Sequence, residues 1–170
     1  YFLYTGIGIN FAVQRIVDGL NSFPIIAIPL FILAASIFNS SSITRNLFGF
    51  ATHLVGHVRG GLGHVNILAS LFFSGMSGSA VADVVGVGKL TMDMMTKDGR
   101  YTPAYAAAIT AATAVIGPII PPSIPLVLYA LISDTSIGYL FAAGVVPGLV
   151  MTAVMMGLNG YLAHKRNFPV

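Results

Sequence analysis

Residues 102–132, "TPAYAAAITAATAVIGPIIPPSIPLVLYALI", carry no charged side chain, yet four prolines fall within residues 118–125. As one straight helix this stretch would run about 46 Å at 1.5 Å per residue, too long for a hydrocarbon core of ~30 Å. Proline removes a backbone donor and its ring clashes with the preceding turn, so a straight helix is forbidden in any case. The sequence therefore asks for an apolar helix cut in two at "GPIIPPSIP".

The rest of the chain is as oily. It is 56% hydrophobic and 8% charged, where a soluble domain carries about 25% charged residues. The expected class is all-α integral membrane protein. With no cysteine, disulfides and cysteine-ligated metals are excluded. The net charge of +3 is scattered over short loops, which reads as a set of topology signals and not as a nucleic-acid surface. Residues 11–20 have helical spacing and read as a short interfacial helix. Residues 23–39, "FPIIAIPLFILAASIFN", are the first clear span, kinked at Pro29. Residues 43–58 are amphipathic, with Arg45, His53 and His57 on the polar side, and read as an interfacial or arm helix. Residues 136–163 form the last span, ending in "HKRN". "YFLYTGIGIN" reads as the end of an earlier hydrophobic segment, so a piece of a longer protein is expected.

Within residues 61–88 the stretch "SGMSGSAVAD" (74–83) sets serines, glycines and an aspartate in apolar surroundings. Arg45 and Arg59 precede this segment, and Lys89, Lys97 and Arg100 follow it. Cations gather on the cytoplasmic side, so a segment that enters and returns fits better than one that crosses. A re-entrant hairpin over about 61–89 is expected, its tip deep in the membrane. Residues 45–60, 89–100 and 164–170 would then be cytoplasmic.

Non-helical backbone survives at membrane depth only when buried in protein or lining a wet cavity. Two such places are expected, Gly75–Ser79 and Gly117–Ser123. Each frees carbonyl oxygens, hard ligands for an alkali cation, and creates a half-helix N-terminus whose amides favour a carboxylate. Transporters use such broken helices to hold a coupling ion and an anionic substrate. Ser77, Ser79 and the carbonyls near Gly75 are expected on one side of a Na⁺ site, and the carbonyls near Gly117 and Pro118 on the other. Gly78, Pro121 and Pro122, together with Asp83, are expected to support the tip and the substrate. Asp83 either neutralises the ion or fixes the tip. A nucleophile elbow fails because position 79 is serine, and a phosphate loop fails because Asp83 and Leu90 occupy required positions. No enzyme is expected. The rival readings are a channel-like pore with a re-entrant selectivity loop and a structural membrane segment without transport activity.

Four stretches carry a family resemblance: "GLNSFPIIAIPLFILAASIFNSSSITRNLFGFA", "GHVRGGLGHVNILASLFFSGMSGSAVAD", "GRYTPAYAAAITAATAVIGPIIPPSIPLVLYA" and "SIGYLFAAGVVPGL". The chain resembles the large membrane subunit, DctM or SiaM type, of the tripartite ATP-independent periplasmic (TRAP) transporters. The resemblance implies an elevator-type transporter of two inverted repeats, this chain being most of the first. Residues 1–58 would be scaffold and arm helices, 59–135 transport-domain elements, and 136–170 the last transmembrane helix with a cytoplasmic tail. It implies Na⁺-driven import of a C4-dicarboxylate or sialic-acid-like carboxylate across the bacterial inner membrane. The implied partners are a periplasmic binding protein, a small membrane subunit and the lipid bilayer, with no nucleic acid. The family's first Na⁺ site maps onto Ser77, Ser79, Gly117 and Ser123. "GVGKLTMDMM" departs from the family pattern just after the tip. Half a transporter is expected not to transport alone.

Overall fold

The computed structural model describes residues 9–21, 42–97 and 99–168, with isolated positions between 26 and 37. The span expected at 23–39 lies largely outside the described residues. Among the described residues every regular element is helical. In chain order they are α1 (Ile9–Leu20), α2 (Ser42–Val55), α3 (Gly61–Ser77), α4 (Ala80–Asp83), α5 (Lys89–Lys97), α6 (Pro103–Ala114), α7 (Ile124–Ser133) and α8 (Ile137–Lys165). A π-helical turn, Val84–Gly88, joins α4 to α5.

The middle of the structure is α3. It packs against α2, α6, α8 and the arm that follows it. The reason lies in its composition: small residues allow close approach, and large apolar ones fill the gaps. Val65, Ala69 and Phe73 pack with Phe48 and Ala51 of α2 and with Val87 of the π turn. All of α3 from His64 to Ile67 is buried, so the helix has no free face there.

After Ser77 the chain turns at Gly78–Ser79 and runs back alongside α3. This arm is longer than the sequence reading drew it. The polar stretch from Lys89 onward continues as helix to Lys97. The methionines explain the extension. Met95 is fully buried in a cluster with Tyr101, Tyr105 and Ala106, with Met92 packed at its edge. Loop residue Tyr101, stacked on Tyr105 and touched by Phe168, ties this cluster to the C-terminal end of α8. Burial holds the Tyr101 phenol above the usual tyrosine range.

The helix expected over 102–132 is cut into α6 and α7. Thr102 caps α6 with Pro103 in the first turn, where the missing N–H is harmless. α6 then ends at Ala114, and residues 115–123 are turns and bends up to the α7 cap. Among the described residues α8 alone is long and apolar enough to cross a membrane. At 29 residues it extends about 43 Å. Gly144 and Gly148 of α8 face Ile119 and Ile120, so the backbone of the break lies directly on this helix. At the other end Asn159 accepts a hydrogen bond from the Tyr105 hydroxyl and donates to the Gly60 carbonyl at 3.3 Å. That pair of bonds joins the start of α3 to α6 and α8.

Candidate functional site

The two breaks in the helical backbone meet. A Cβ placed on Gly117 would stand 3.2 Å from the carbonyl carbon of Ser79 and 3.3 Å from the amide nitrogen of Ala80. A Cβ on Gly75 would stand 3.8 Å from the Pro121 carbonyl oxygen. The Ile124 amide donates to the Gly78 carbonyl at 3.4 Å. Residues 37 to 46 positions apart in the chain thus form one contact of backbone on backbone.

Gly78 makes the contact achievable. Its φ of 59° and ψ of 15° are left-handed, and its amide closes α3 by donating to the Ser74 carbonyl at 3.1 Å. Glycine adopts this conformation without the Cβ clash that other residues suffer. A Cβ here would collide with the Pro122 carbonyl oxygen. Gly75, by contrast, lies inside α3 in ordinary helix. The break is therefore at Gly78–Ser79, three residues later than the first glycine of the expected Gly75–Ser79 interruption.

The hydroxyls around this contact have defined tasks. Ser79 is the N-cap of α4 and accepts from the Ala82 amide at 3.4 Å. Ser123 is the N-cap of α7 and accepts from the Leu126 amide at 3.3 Å. Its own proton goes to the Pro118 carbonyl, 2.5 Å away. Ser77, buried at the end of α3, accepts from the Ser79 amide at 3.4 Å. Caps of this kind satisfy amides that helix starts leave open. Pro121 and Pro122 turn their carbonyls toward Gly75 and Gly78. The named donors are all oxygen, from serine hydroxyls and backbone carbonyls, a hard and neutral set suited to an alkali cation and not to a soft metal.

Asp83 closes α4, one turn beyond Ser79, and its amide donates to the Ser79 carbonyl at 3.1 Å. Its carboxylate is buried and caps nothing. No hydrogen bond joins it to the serines of the tip.

Sequence reasoning passed over a polar face of α3. Asn66 donates to the Thr110 hydroxyl at 2.9 Å, and Ser70 donates to the Thr113 hydroxyl at 3.4 Å. Both pairs are buried between α3 and α6. The signal was present as spacing. Asn66, Ser70 and Ser74 recur every four residues, and Thr110 and Thr113 lie three apart, which puts each set on one helix face.

Over residues 1–170 the chain matches the family model described as the tripartite ATP-independent periplasmic transporter, DctM component. The sialic acid TRAP transporter large permease protein SiaM of Vibrio cholerae is 48% identical over 161 residues, 95% of this chain and 38% of that protein. The 2,3-diketo-L-gulonate TRAP transporter large permease protein YiaN of Escherichia coli is 40% identical over 156 residues, covering 92% of this chain and 36% of that protein. The C4-dicarboxylate TRAP transporter large permease protein DctM of Pseudomonas aeruginosa is 38% identical over 147 residues, 86% of this chain and 34% of that protein. The chain spans just over a third of the length of these relatives, which are transport permeases and not enzymes. With its described elements all helical and its two helix breaks joined at a hydroxyl- and carbonyl-lined contact, the chain belongs to the DctM component family of the tripartite ATP-independent periplasmic transporters.

Proposed function

We propose that this chain is part of the permease of a Na⁺-coupled importer of carboxylates in a bacterial inner membrane, supplied by a periplasmic binding protein and flanked by a small membrane subunit. The observation that carries this reading is the contact between the breaks at Gly78–Ser79 and Gly117–Ser123. Helix breaks at membrane depth expose the charges that helices otherwise hide. The oxygens of Ser77, Ser79, Gly75, Gly117, Pro118 and Ser123 are the donors for Na⁺. A bound cation supplies the positive charge that a carboxylate needs at depth, and the N-termini of α4 and α7 add partial positive charge. The relatives named for sialic acid, C4-dicarboxylate and 2,3-diketo-L-gulonate transport support a carboxylate class of substrate.

The arm arrangement supports a re-entrant hairpin over about 61–89. At 17 residues α3 covers about 25 Å, less than a bilayer core of ~30 Å. The chain then turns back along it. In this reading α3 through α7 belong to the moving part of an elevator-type repeat, and residues 1–58 and 136–170 to its scaffold, arm and last span.

The test is uptake of labelled carboxylates into proteoliposomes holding the full-length permease, its small subunit and its binding protein. Uptake is expected to require both a Na⁺ gradient and the binding protein. Ser77→Ala is expected to raise the Na⁺ concentration for half-maximal uptake by about tenfold, which corresponds to ~1.4 kcal/mol. Uptake indifferent to Na⁺ and to Ser77→Ala would remove the ion-site assignment.

A further inference from the structure

The helices α6 and α8 both pack on α3 but hardly touch each other. Between them runs a groove of about 410 Å³ with the buried Ile67 of α3 at its floor, a size typical of ligand sites, roughly 300–1,000 Å³. α6 gives it Ala108 and Ala112, both exposed. α8 gives it Met155, Leu158 and Leu162. The alanines leave the α6 wall without side chains long enough to close the gap. The other end is polar, formed by Thr102, Tyr105, Asn159 and Arg166. The groove therefore has a head end and a tail end.

Its place on α8 fixes what surrounds it. Tyr139 and Tyr161 of α8 are 80% and 63% exposed and 22 residues apart, about 33 Å along the helix. Exposed tyrosines gather at the two membrane–water interfaces, and this spacing fits a hydrocarbon core of ~30 Å. Arg166 follows Tyr161 by five residues and so stands at headgroup level. Eleven residues separate Met155 from Arg166, roughly 16 Å, close to half of that core. The groove thus opens on a single leaflet, its polar end among the headgroups and its apolar end near the midplane.

The polar end carries charge to match. Arg166 lies over the Tyr105 ring, 5.8 Å from its centroid. Stacking occupies one face of the guanidinium and leaves its N–H edge for an anion. Among the described residues no carboxylate pairs with it, and Lys165 beside it adds a second positive charge. The Thr102 oxygen accepts from the Tyr105 amide at 3.3 Å, which leaves its own proton to be given. We propose that this groove binds one anionic phospholipid, its phosphate on Arg166 and the Thr102 hydroxyl, and one acyl chain along Ala108, Ala112 and Met155. Guanidinium and phosphate match as a bidentate pair, and basic pockets between membrane helices take anionic headgroups. Such a site stands whether or not the joined breaks hold Na⁺.

The experiment is native mass spectrometry of the purified full-length permease, delipidated in detergent and titrated with phosphatidylglycerol or with phosphatidylcholine. Wild type is compared with Arg166→Gln and Ala108→Phe. Wild type is expected to hold one phosphatidylglycerol at least about tenfold more tightly than phosphatidylcholine. Arg166→Gln is expected to remove that preference. Ala108→Phe fills the groove and keeps the charge, and is expected to lose the tightly held lipid altogether. Unchanged retention in Ala108→Phe overturns the site, because the lipid then lies elsewhere or another part of the permease already fills the groove. A preference for phosphatidylglycerol that survives Arg166→Gln overturns it as well, because the phosphate is then held by other groups. Both substitutions fall on exposed residues. If Ala108→Phe does not fold, Ala112→Phe, one turn further along the groove, decides in its place.

Discussion

Gly78→Ala is expected to reduce Na⁺-driven uptake to background, whereas Gly75→Ala, three residues earlier, is expected to leave uptake within about twofold of wild type. The difference comes from backbone geometry. Gly78 sits at φ 59°, where an alanine costs roughly 1–2 kcal/mol against the right-handed conformation. Its new Cβ would also meet the Pro122 carbonyl, a backbone atom that cannot swing aside. Overpacking of that kind adds about 1–3 kcal/mol. Together these give about 2–5 kcal/mol, a factor of roughly thirty to several thousand in the population of the closed tip. At Gly75 the backbone is helical, and the nearest atom to a Cβ is 3.8 Å away. Alanine there keeps the carbonyl and removes some unfolded-state freedom. Uptake assays on the two variants, with detergent-extracted protein checked for unfolding temperature, decide the matter. Equal effects of the two substitutions would contradict the tip geometry.

The second large effect is expected from Gly117→Val. The glycine abuts Ser79 and Ala80 across the contact between the breaks, and even a methyl group would stand 3.2–3.3 Å from their backbone atoms. Valine drives a wedge between the tip and the broken helix without imposing a left-handed conformation at the tip itself. The expected outcome is a loss of more than about tenfold in apparent Na⁺ affinity, with Gly117→Ala intermediate. The measurement is the Na⁺ dependence of uptake across the series Gly, Ala, Val. An affinity that does not fall with side-chain size would show that the contact is not where Na⁺ acts.

The sequence carried the architecture in its punctuation. Four prolines between residues 118 and 125 foretold the division into α6 and α7, because proline cannot continue a helix. The breaks were expected to start new half-helices, but that Ser79 and Ser123 cap them was seen only in the structure. The extent of the return arm was not legible. "KLTMDMMTK" looks like a polar exit, and it becomes helix because Met95 is buried against Tyr101 and Tyr105, a tertiary contact no local pattern announces. The π turn at Val84–Gly88 was equally hidden, since nothing in "VVGVG" distinguishes an i→i+5 turn from ordinary helix. The candidate site was legible in its residue types and in its two locations. Which atoms touch was not. The meeting of Gly117 with Ser79, and the burial of the Asp83 carboxyl, depend on how α3, α4 and α6 pack.

The central claim is that the joined breaks hold Na⁺. It is tested most directly by the unfolding temperature of the full-length permease in detergent, titrated with Na⁺ and, at equal ionic strength, with K⁺ or choline. A ligand that binds only the folded state stabilises by about 2.7 kcal/mol at a hundred times its Kd. The account predicts a rise in Tm with Na⁺ alone, saturating, and displaced to higher Na⁺ in Ser77→Ala. A rise that K⁺ or choline reproduces, or one that Ser77→Ala leaves untouched, would contradict it.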